Sequence, residues 1–274
     1  MSDQLLRPAR LERLVWHAPA GLTEQAFSEI QPRLEKLMTE PRGECVYQAK
    51  RRAIHRVQDE ILGPLAVKEI RSDGCLRSVW FRFAAEHPGL REFRVGSEFQ
   101  ARGGATPAFL GAMLEGGFGH VDRVVIFMHW IEGAVELAQH LRDPRTRPDR
   151  ALFERVATRL AEDARLGLVH GRHSSNNLLL VPRDGGEPEI QVIDFAYSSL
   201  GVGFDPGGFA RDVARVAVGM VRQGGVERRK VCEFIEVAAR VAHSTEAEVE
   251  ACRGAIEALA NRRLIQATGR DLEG

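Results

Sequence analysis

Strand-like segments dominate the first half of this sequence, and segments with helical periodicity dominate the second half. Short runs rich in valine and isoleucine, separated by basic or Gly-Pro turns, follow one another up to Trp130. Beyond "HWIEGAVEL", apolar residues recur three and four positions apart, as in "RALFERVATRLAEDARLG" and "ERRKVCEFIEVAARVAH". This segregation predicts an α+β protein with two lobes, a small strand-rich lobe to about Trp130 and a helical lobe after it, with a cleft between them.

Local patterns place the individual elements. The segments "ECVYQA", "AIHRV", "LAVKEIR", "AFLGAML" and "VDRVVIFMHW" are predicted as strands. "HPGLREFRVGSEFQARGG" is predicted as a helix, because Pro88 suits a first helical turn and Gly103-Gly104 suits an exit. Helical spacing of Phe27 and Leu34 predicts that the first forty residues are helical. The predicted organisation is therefore a helical extension over residues 1–42, a strand-rich lobe over 43–130 and a helical lobe over 131–274.

Composition narrows the classes of partner and compartment. The 274 residues carry a formal net charge of zero, whereas a protein that grips a nucleic-acid backbone is usually basic. The cysteines are scattered and form no C-x-x-C pair, so we predict neither a zinc cage nor a disulfide framework: Cys45, Cys75, Cys232 and Cys252. The first residues do not resemble a signal peptide, and no apolar run is long enough to span a bilayer. The expected location is cytoplasmic.

Two neighbouring stretches carry the residues of a candidate site. In "LVHGRHSSNNLLL", Asn177 opens a short apolar strand, and in "EIQVIDFAYSSL", Asp194 ends the next strand. Amide and carboxylate oxygens are suitable ligands for Mg²⁺. Asp commonly follows a strand simply as a turn residue, so the second stretch alone is weak support.

A lysine and two glutamates in the strand-rich half add to this set. Lys68 lies in "LAVKEIR", a pattern like V-A-I-K, where a lysine can reach the α- and β-phosphates of a nucleotide. Glu92, with Glu98 as its rival, lies on the following helix and could hold the lysine. Taken singly, each is more often a solvated surface charge. The order of these residues along the chain, rather than any one of them, favours a functional site.

This order resembles the protein-kinase-like superfamily, and within it the lipopolysaccharide core kinase group, the Kdo/WaaP and InaA-like proteins. Three further stretches are similar to that family: "REFRVGSEFQARGGATP", "VVIFMHWIEGAVELAQHL" and "ARDVARVAVGM". The likeness extends from about Cys45 to Met220. It implies a two-lobed protein-kinase-like fold, with a β-rich N-lobe at 43–130 and a helical C-lobe at 131–274. It also implies transfer of the γ-phosphoryl group of ATP to a sugar hydroxyl of the lipopolysaccharide core or a related acceptor.

The resemblance implies a role for each matching position. Lys68 would bind the phosphates and Glu92 would pair with it, while Asn177 and Asp194 would hold Mg²⁺. The nucleotide's adenine would lie against the hinge strand, with Met128 as gatekeeper and the backbone from His129 to Ile131 facing the base. His170 would be the structural histidine that organises the catalytic loop.

Two departures from the family pattern put catalysis in doubt. Aligned on "H-G-D-x-x-x-x-N", the sequence has Arg172 at the position of the catalytic base, and a guanidinium cannot accept a proton. His173 could substitute as a base if the loop rotates. The expected glycine-rich loop is missing, and Lys50, Arg51 and Arg52 stand at that turn, where they either hold phosphate by charge or are simply solvated.

Three functional hypotheses remain open. The first is an active kinase on a sugar acceptor, cytoplasmic and peripheral at the inner membrane. The second is a pseudokinase, a nucleotide-binding or scaffold protein of cell-envelope assembly, which Arg172 favours. The third is a metal hydrolase that uses His170, His173 and Asp194. For Arg172 itself, the sequence allows either an interaction with the phosphates or an ion pair with Asp194 that occupies the metal site.

Overall fold

The computed structural model describes residues 13–39, 43–72, 86–116, 121–146, 148–269 and 272. The chain divides into two compact units. The first comprises Met1–Arg94 and Phe109–Trp130, and the second comprises Val95–Ala108 and Ile131–Gly274. The architecture is α+β, as predicted, with the long antiparallel sheet in the first unit and most of the helices in the second.

One antiparallel sheet forms the first unit. Its strands are β1 (Arg13–His17), β2 (Glu44–Gln48), β3 (Arg52–Asp59), β4 (Gly63–Arg71), β5 (Phe109–Gly116) and β6 (Arg123–His129). Their order across the sheet is β1-β5-β6-β4-β3-β2. The five strands predicted from the sequence are confirmed as β2 to β6. Residues 117–120, between β5 and β6, lie outside the described residues.

The first forty residues are not uniformly helical, and this part of the prediction is wrong. Residues 13–17 form strand β1, which pairs with β5 so that Trp16 lies opposite Met113. Trp16 stacks on Phe127 of β6, with ring centroids 5.7 Å apart. A five-residue segment takes its conformation from the edge it joins, because local propensity is easily overridden by packing. Residues 1–12 lie outside the described residues.

The helix predicted from Phe27 and Leu34 is confirmed as α1 (Glu24–Thr39). It begins after Thr23, whose hydroxyl accepts the Ala26 N–H at 3.2 Å. Its buried face packs into one apolar cluster with the sheet: Phe27, Leu34, Leu37, Leu65, Val67, Met113, Val125 and Phe127. The amino-terminal helix is therefore part of the core of the first unit.

Helix α2 (Pro88–Ala101) has the limits that the sequence predicts. The ring of His87 accepts the Gly89 N–H at 3.1 Å, which satisfies a donor of the first turn. After the helix, Gly103 adopts φ +86°. A side chain at Gly104 would overlap the ring of Phe99, so only glycine allows the chain to turn back here. The helix begins in the first unit and continues into the second.

The second unit is mainly helical. Its helices are α3 (Leu137–Arg142), α4 (Arg150–Arg165), α5 (Pro206–Arg222), α6 (Arg228–Ala242) and α7 (Glu246–Thr268). The last four confirm the predicted helices. Phe153 of α4 packs on Phe234 of α6, with centroids 5.8 Å apart. Short strands complete the unit, in a sheet of order β10-β9-β7 and a pair β11-β8: β7 (Val135–Glu136), β8 (Leu168–Val169), β9 (Leu178–Val181), β10 (Glu189–Val192) and β11 (Ser199–Leu200).

Two further features concern the described residues only. None of the helices they form combines the length and the apolar character that crossing a membrane requires. Cys45 and Cys252 carry free thiols, whereas Cys75 lies outside the described residues.

Candidate active site

Lys68 and Glu92 form a buried ion pair in the first unit. Lys68 lies in the middle of β4, where it pairs in register with Ile54 of β3 and Ile126 of β6. Its Nζ lies 2.5 Å from Oε1 of Glu92 on α2, and the two side chains are only 8% and 2% exposed. The prediction that the lysine pairs with Glu92 rather than Glu98 is confirmed, because Glu98 instead accepts from the Arg102 guanidinium at 2.5 Å.

A buried ion pair is weak support for stability, since desolvation offsets most of the attraction. Apolar side chains of similar volume would fill the same space without this desolvation penalty. The presence of a lysine and a carboxylate here therefore indicates a functional requirement for a positioned cation.

One carboxylate holds the backbone of the loop between β8 and β9. Asp212 of α5 accepts the backbone N–H of His170 at 2.6 Å through Oδ2, and that of Gly171 at 3.1 Å through Oδ1. Burial raises the pKa of Asp212, and the neighbouring His170 opposes the rise. Each carboxylate oxygen of Asp212 therefore accepts a hydrogen bond from the backbone at the start of the candidate catalytic loop.

Asp212 was not singled out in the sequence, although a signal for it exists. In "FARDVARVAV" the buried face of α5 includes Phe209, Val213 and Val216, and Asp212 stands on that same face. A carboxylate on the apolar face of a helix requires a partner. The sequence could have shown that Asp212 is buried and paired, but not with which backbone groups.

His170 links this loop to the segment that carries Asp194. Its ring is fully buried, and Nε2 lies 2.9 Å from the carbonyl oxygen of Ile193. A carbonyl can only accept, so this nitrogen carries the proton. The Ser198 hydroxyl donates to the carbonyl of His170 at 3.0 Å. These contacts agree with the structural role that the resemblance implies for His170.

Gly171, the residue after His170, allows the loop to come close to the backbone of Tyr197. It adopts φ +75°, and a Cβ there would lie 2.4 Å from the carbonyl oxygen of Tyr197. Any other residue would meet both a strained backbone and a clash. The glycine therefore fixes the distance between the loop and the turn Phe195–Tyr197.

Asn177 and Asp194 are brought together by the backbone of the second unit. The Ile193 N–H donates to the carbonyl of Asn177 at 3.0 Å, and Asp194 follows directly. The Asn177 side-chain nitrogen donates to the carbonyl of Arg172 at 3.1 Å, which leaves the amide oxygen for another partner. Asp194 has φ 67° and ψ 64°, the single positive φ of a non-glycine residue in the described chain. Left-handed backbone of this kind concentrates at functional sites.

These two residues fit a magnesium ion bound with a nucleotide. Each supplies an oxygen of the type that hard cations prefer, one amide and one carboxylate. Mg²⁺ usually takes only one or two protein ligands and completes its shell with phosphate and water. Within the described residues there is no group of three or more histidine, cysteine or acidic side chains suited to hold a metal unaided.

Arg172, at the position of the catalytic base, is exposed and stacks on an aromatic ring. Its guanidinium carbon lies 3.5 Å from the centroid of Tyr197. Such a cation–π contact contributes about 0.5–1 kcal/mol at an exposed site. Over the residues that the structure describes, no ion pair joins Arg172 to Asp194. The arginine therefore does not occupy the proposed metal site by pairing with this aspartate.

His173 lies in the interior rather than at the surface of the loop. It is 3% exposed and stacks on His170, with centroids 4.2 Å apart and ring planes 18° from parallel. Burial, followed by the neighbouring His170, lowers the pKa of His173 well below its usual value. A side chain in this position acts as a substitute base only after the loop turns it outward. The metal hydrolase hypothesis for His170, His173 and Asp194 gains no support, because no group of three or more such side chains among the described residues is placed to hold a metal ion.

The remaining predicted positions lie on separate elements. Met128 and His129 are half-buried at the end of β6, in register with Ala66 and Leu65 of β4. Ile131 begins the second unit. The turn with Lys50, Arg51 and Arg52 joins β2 to β3 and lines a cavity of about 210 Å³ that also includes Glu69 and Arg71. Its role toward phosphate stays a prediction.

Comparison with known proteins agrees with this arrangement. The chain is similar over its length to WaaP, solved in complex with acyl carrier protein, at 20% identity and a TM-score of 0.60, with 93% of this chain and 99% of that chain covered. It also resembles the Rio2 kinase from Chaetomium thermophilum, at 16% identity and a TM-score of 0.50, covering 93% and 84% of the two chains. Likeness at this identity shows a two-lobed protein-kinase-like fold.

The comparison with curated proteins gives no match. The family model for "Lipopolysaccharide kinase (Kdo/WaaP) family" matches residues 44–202, which is more than half of the 274 residues. These residues include β2 to β11, the Lys68–Glu92 pair, the loop from His170 to Asn177 and Asp194. The chain therefore belongs to the lipopolysaccharide kinase (Kdo/WaaP) family.

Proposed function

We propose that this protein is an ATP-dependent kinase that transfers the γ-phosphoryl group to a sugar hydroxyl of the lipopolysaccharide core or of a related acceptor. The observation that carries the proposal is the buried Lys68–Glu92 pair, with 2.5 Å between Nζ and Oε1. Phosphoryl transfer depends mainly on positioning and charge neutralisation, and a lysine held by a glutamate supplies both.

The residues would divide the work as follows. Lys68 neutralises the α- and β-phosphates, and Glu92 keeps the ammonium in place. Asn177 and Asp194 hold Mg²⁺, which when bound neutralises further phosphate charge. The hinge backbone from His129 to Ile131, next to Met128, faces the adenine. Asp212 holds the loop from which the acceptor hydroxyl is approached.

The acceptor of this family is membrane-borne, so we place the protein in the cytoplasm, peripheral at the inner membrane. If this placement is right, part of the protein in a cell extract will sediment with membranes and will be released by high salt, because charge governs such binding. Recovery of all the protein in the supernatant at low salt would argue against it.

Arg172 favours a second candidate function, a pseudokinase that binds nucleotide or serves as a scaffold. Its guanidinium stands where the family has the carboxylate base, and it cannot accept the proton of the acceptor. Loss of a general base lowers the rate by about two to four orders of magnitude. We infer that the protein binds nucleotide and transfers phosphate slowly.

The first experiment measures the thermal shift caused by ATP, with and without Mg²⁺, in the wild type and in Asp194→Ala. The proposal expects a shift that requires Mg²⁺ and that Asp194→Ala reduces. Absence of any ATP-induced shift in the wild type would overturn both candidate functions at once.

The second experiment separates the two candidates through Arg172. Arg172→Asp restores a carboxylate, and we expect it to raise the kcat of transfer from ATP to core oligosaccharide, measured at saturating acceptor, at least tenfold, a barrier change of about 1.4 kcal/mol. Arg172→Ala is the matched control, because it removes the cation without supplying a base. If the wild type turns over briskly and Arg172→Asp is slower, the arginine takes part in an altered mechanism and the pseudokinase candidate is excluded.

A further inference from the structure

A cavity lined by residues of the second unit adjoins the candidate catalytic loop. Its volume is about 620 Å³, within the range of sites that hold small organic ligands. One wall is the loop segment 172–174, and the others are the last turns of α5 and of α7. Loop and helices are held together, because the Ser175 hydroxyl donates to Gln223 Oε1 at 3.0 Å and a Cβ on Gly219 would lie 2.9 Å from the Ser175 backbone.

Four arginines line this cavity: Arg172, Arg215, Arg222 and Arg263. Arg215 and Arg222 are seven residues apart on α5, a spacing that puts them on one face of the helix. Glutamine side chains, from Gln223 and Gln266, add amide donors to the lining. No acidic residue is among the described residues that form the walls.

These guanidinium groups are mostly without carboxylate partners. Nη1 of Arg215 lies 3.4 Å from Oδ1 of Asp212, and this carboxylate also accepts hydrogen bonds from the loop backbone. Arg172, Arg222 and Arg263 make no ion pair with another residue of the described chain. This is unusual here, because most other described arginines pair with a neighbouring carboxylate. Burial lowers the pKa of Arg215, and the nearby positive charge of Arg263 lowers it further.

Like charges gathered in a concave site repel one another and attract an anion. Guanidinium groups match phosphate and carboxylate oxygens in pairs of parallel hydrogen bonds. The balanced net charge of the chain indicates that this attraction is local and not a property of the whole surface.

We propose that this cavity binds an anionic group, a phosphate or a carboxylate, carried by the saccharide that accepts the phosphoryl group. The inference rests on the proposed kinase function and specifies its acceptor as an already acidic saccharide. Arg172 connects the two, because it lines the cavity and also stands at the position where the family pattern has the catalytic base. On this basis, the replacement of the base by an arginine extends the anion site toward the point of transfer.

The test is a calorimetric titration of the full chain with deacylated, phosphorylated core oligosaccharide. The variant is the double substitution Arg222→Gln with Arg263→Gln, and the matched control is Arg262→Gln, an exposed arginine next to Arg263 on α7. We expect the double variant to raise Kd at least tenfold and the control to change it less than twofold. Unchanged binding by the double variant would overturn the inference.

Three further binding measurements test the same proposal. The same oligosaccharide without its phosphate and carboxylate groups should bind at least tenfold more weakly, and equal binding would overturn the inference. Gln266→Glu places an anion in the cavity without removing an arginine, so it should weaken binding even if the double variant folds poorly. Vesicles containing phosphatidylglycerol distinguish a lipid headgroup: if they bind through Arg222 and Arg263 while the oligosaccharide does not bind, the proposal is wrong.

The ATP-induced thermal shift is measured on each variant in parallel. If the oligosaccharide binding is lost and the ATP shift is retained, the cavity is an acceptor site separate from the nucleotide site. If wild type shows the ATP shift but no arginine-dependent saccharide binding, the inference fails and the proposed kinase function stands. If wild type shows no ATP shift, it is the proposed function that fails.

Discussion

Substitution of Lys68 by methionine would leave Glu92 as a buried carboxylate without its cation. The two side chains are 8% and 2% exposed, so solvent offers little compensation. Removing one partner of a buried pair costs about 3–5 kcal/mol of unfolding free energy, whereas replacing both by apolar residues of similar volume is often neutral. We therefore expect Lys68→Met to be strongly destabilising, and Lys68→Met combined with Glu92→Leu to recover most of the loss.

Urea denaturation followed by circular dichroism measures these differences, provided that the slope with urea stays constant. Glu98→Gln is the matched control for the buried pair, because it breaks a more exposed ion pair on the same helix and should cost about 0–1 kcal/mol. All variants of the buried pair should lose ATP binding, including the double variant with restored stability. A cost below about 1 kcal/mol for Lys68→Met, or no recovery in the double variant, would refute the reasoning.

Three other predictions follow from the described contacts. Asp212→Ala removes two charge-assisted hydrogen bonds to the backbone of His170 and Gly171 and should cost about 3–5 kcal/mol in urea denaturation, with loss of phosphoryl transfer. Gly171→Ala meets φ +75° and a carbonyl oxygen 2.4 Å from the new Cβ, so it should destabilise by about 2 kcal/mol or more, measured by the same titration. Burial lowers the pKa of His87 from 6.5 to about 4. As the pH falls, the unfolded chain binds the proton before the folded chain does. The contribution of His87 to the free energy of unfolding is therefore complete above pH 6.5 and falls by about 3 kcal/mol toward pH 4. His87→Gln should flatten this pH dependence, and an unchanged profile would contradict the prediction.

The sequence determined the elements whose signals are local. Strands β2 to β6 follow from valine-rich runs between turns, and α2 follows from Pro88 at its start and Gly103 at its end. The lysine's partner was also predicted, because the family resemblance implies Glu92, whereas the residues alone left Glu98 as a rival. The strands and the helix depend on neighbours within a few positions, and such neighbours are visible in a single sequence.

The position of β1 and of His173 was decided by tertiary structure. Residues 13–17 become a strand because the edge of β5 offers unpaired backbone groups, and nothing within the five residues requires it. His173 is adjacent to Arg172 in the chain, yet the arginine is exposed and the histidine is buried against His170. Which of two adjacent loop residues faces the interior depends on the path of the backbone and not on residue type.

The two groups that the sequence did not single out are both long-range assemblies. Asp212 holds backbone atoms 41 and 42 residues earlier in the chain. The cavity joins Arg172 on a loop to Arg222 at the end of α5 and to Arg263 on α7. Residue types and helical faces were present in the sequence, but their convergence depends on how the helices and the loop pack. Only packing brings such distant side chains within interaction distance, and so only the tertiary structure could point to the proposed anion site beside the candidate catalytic loop.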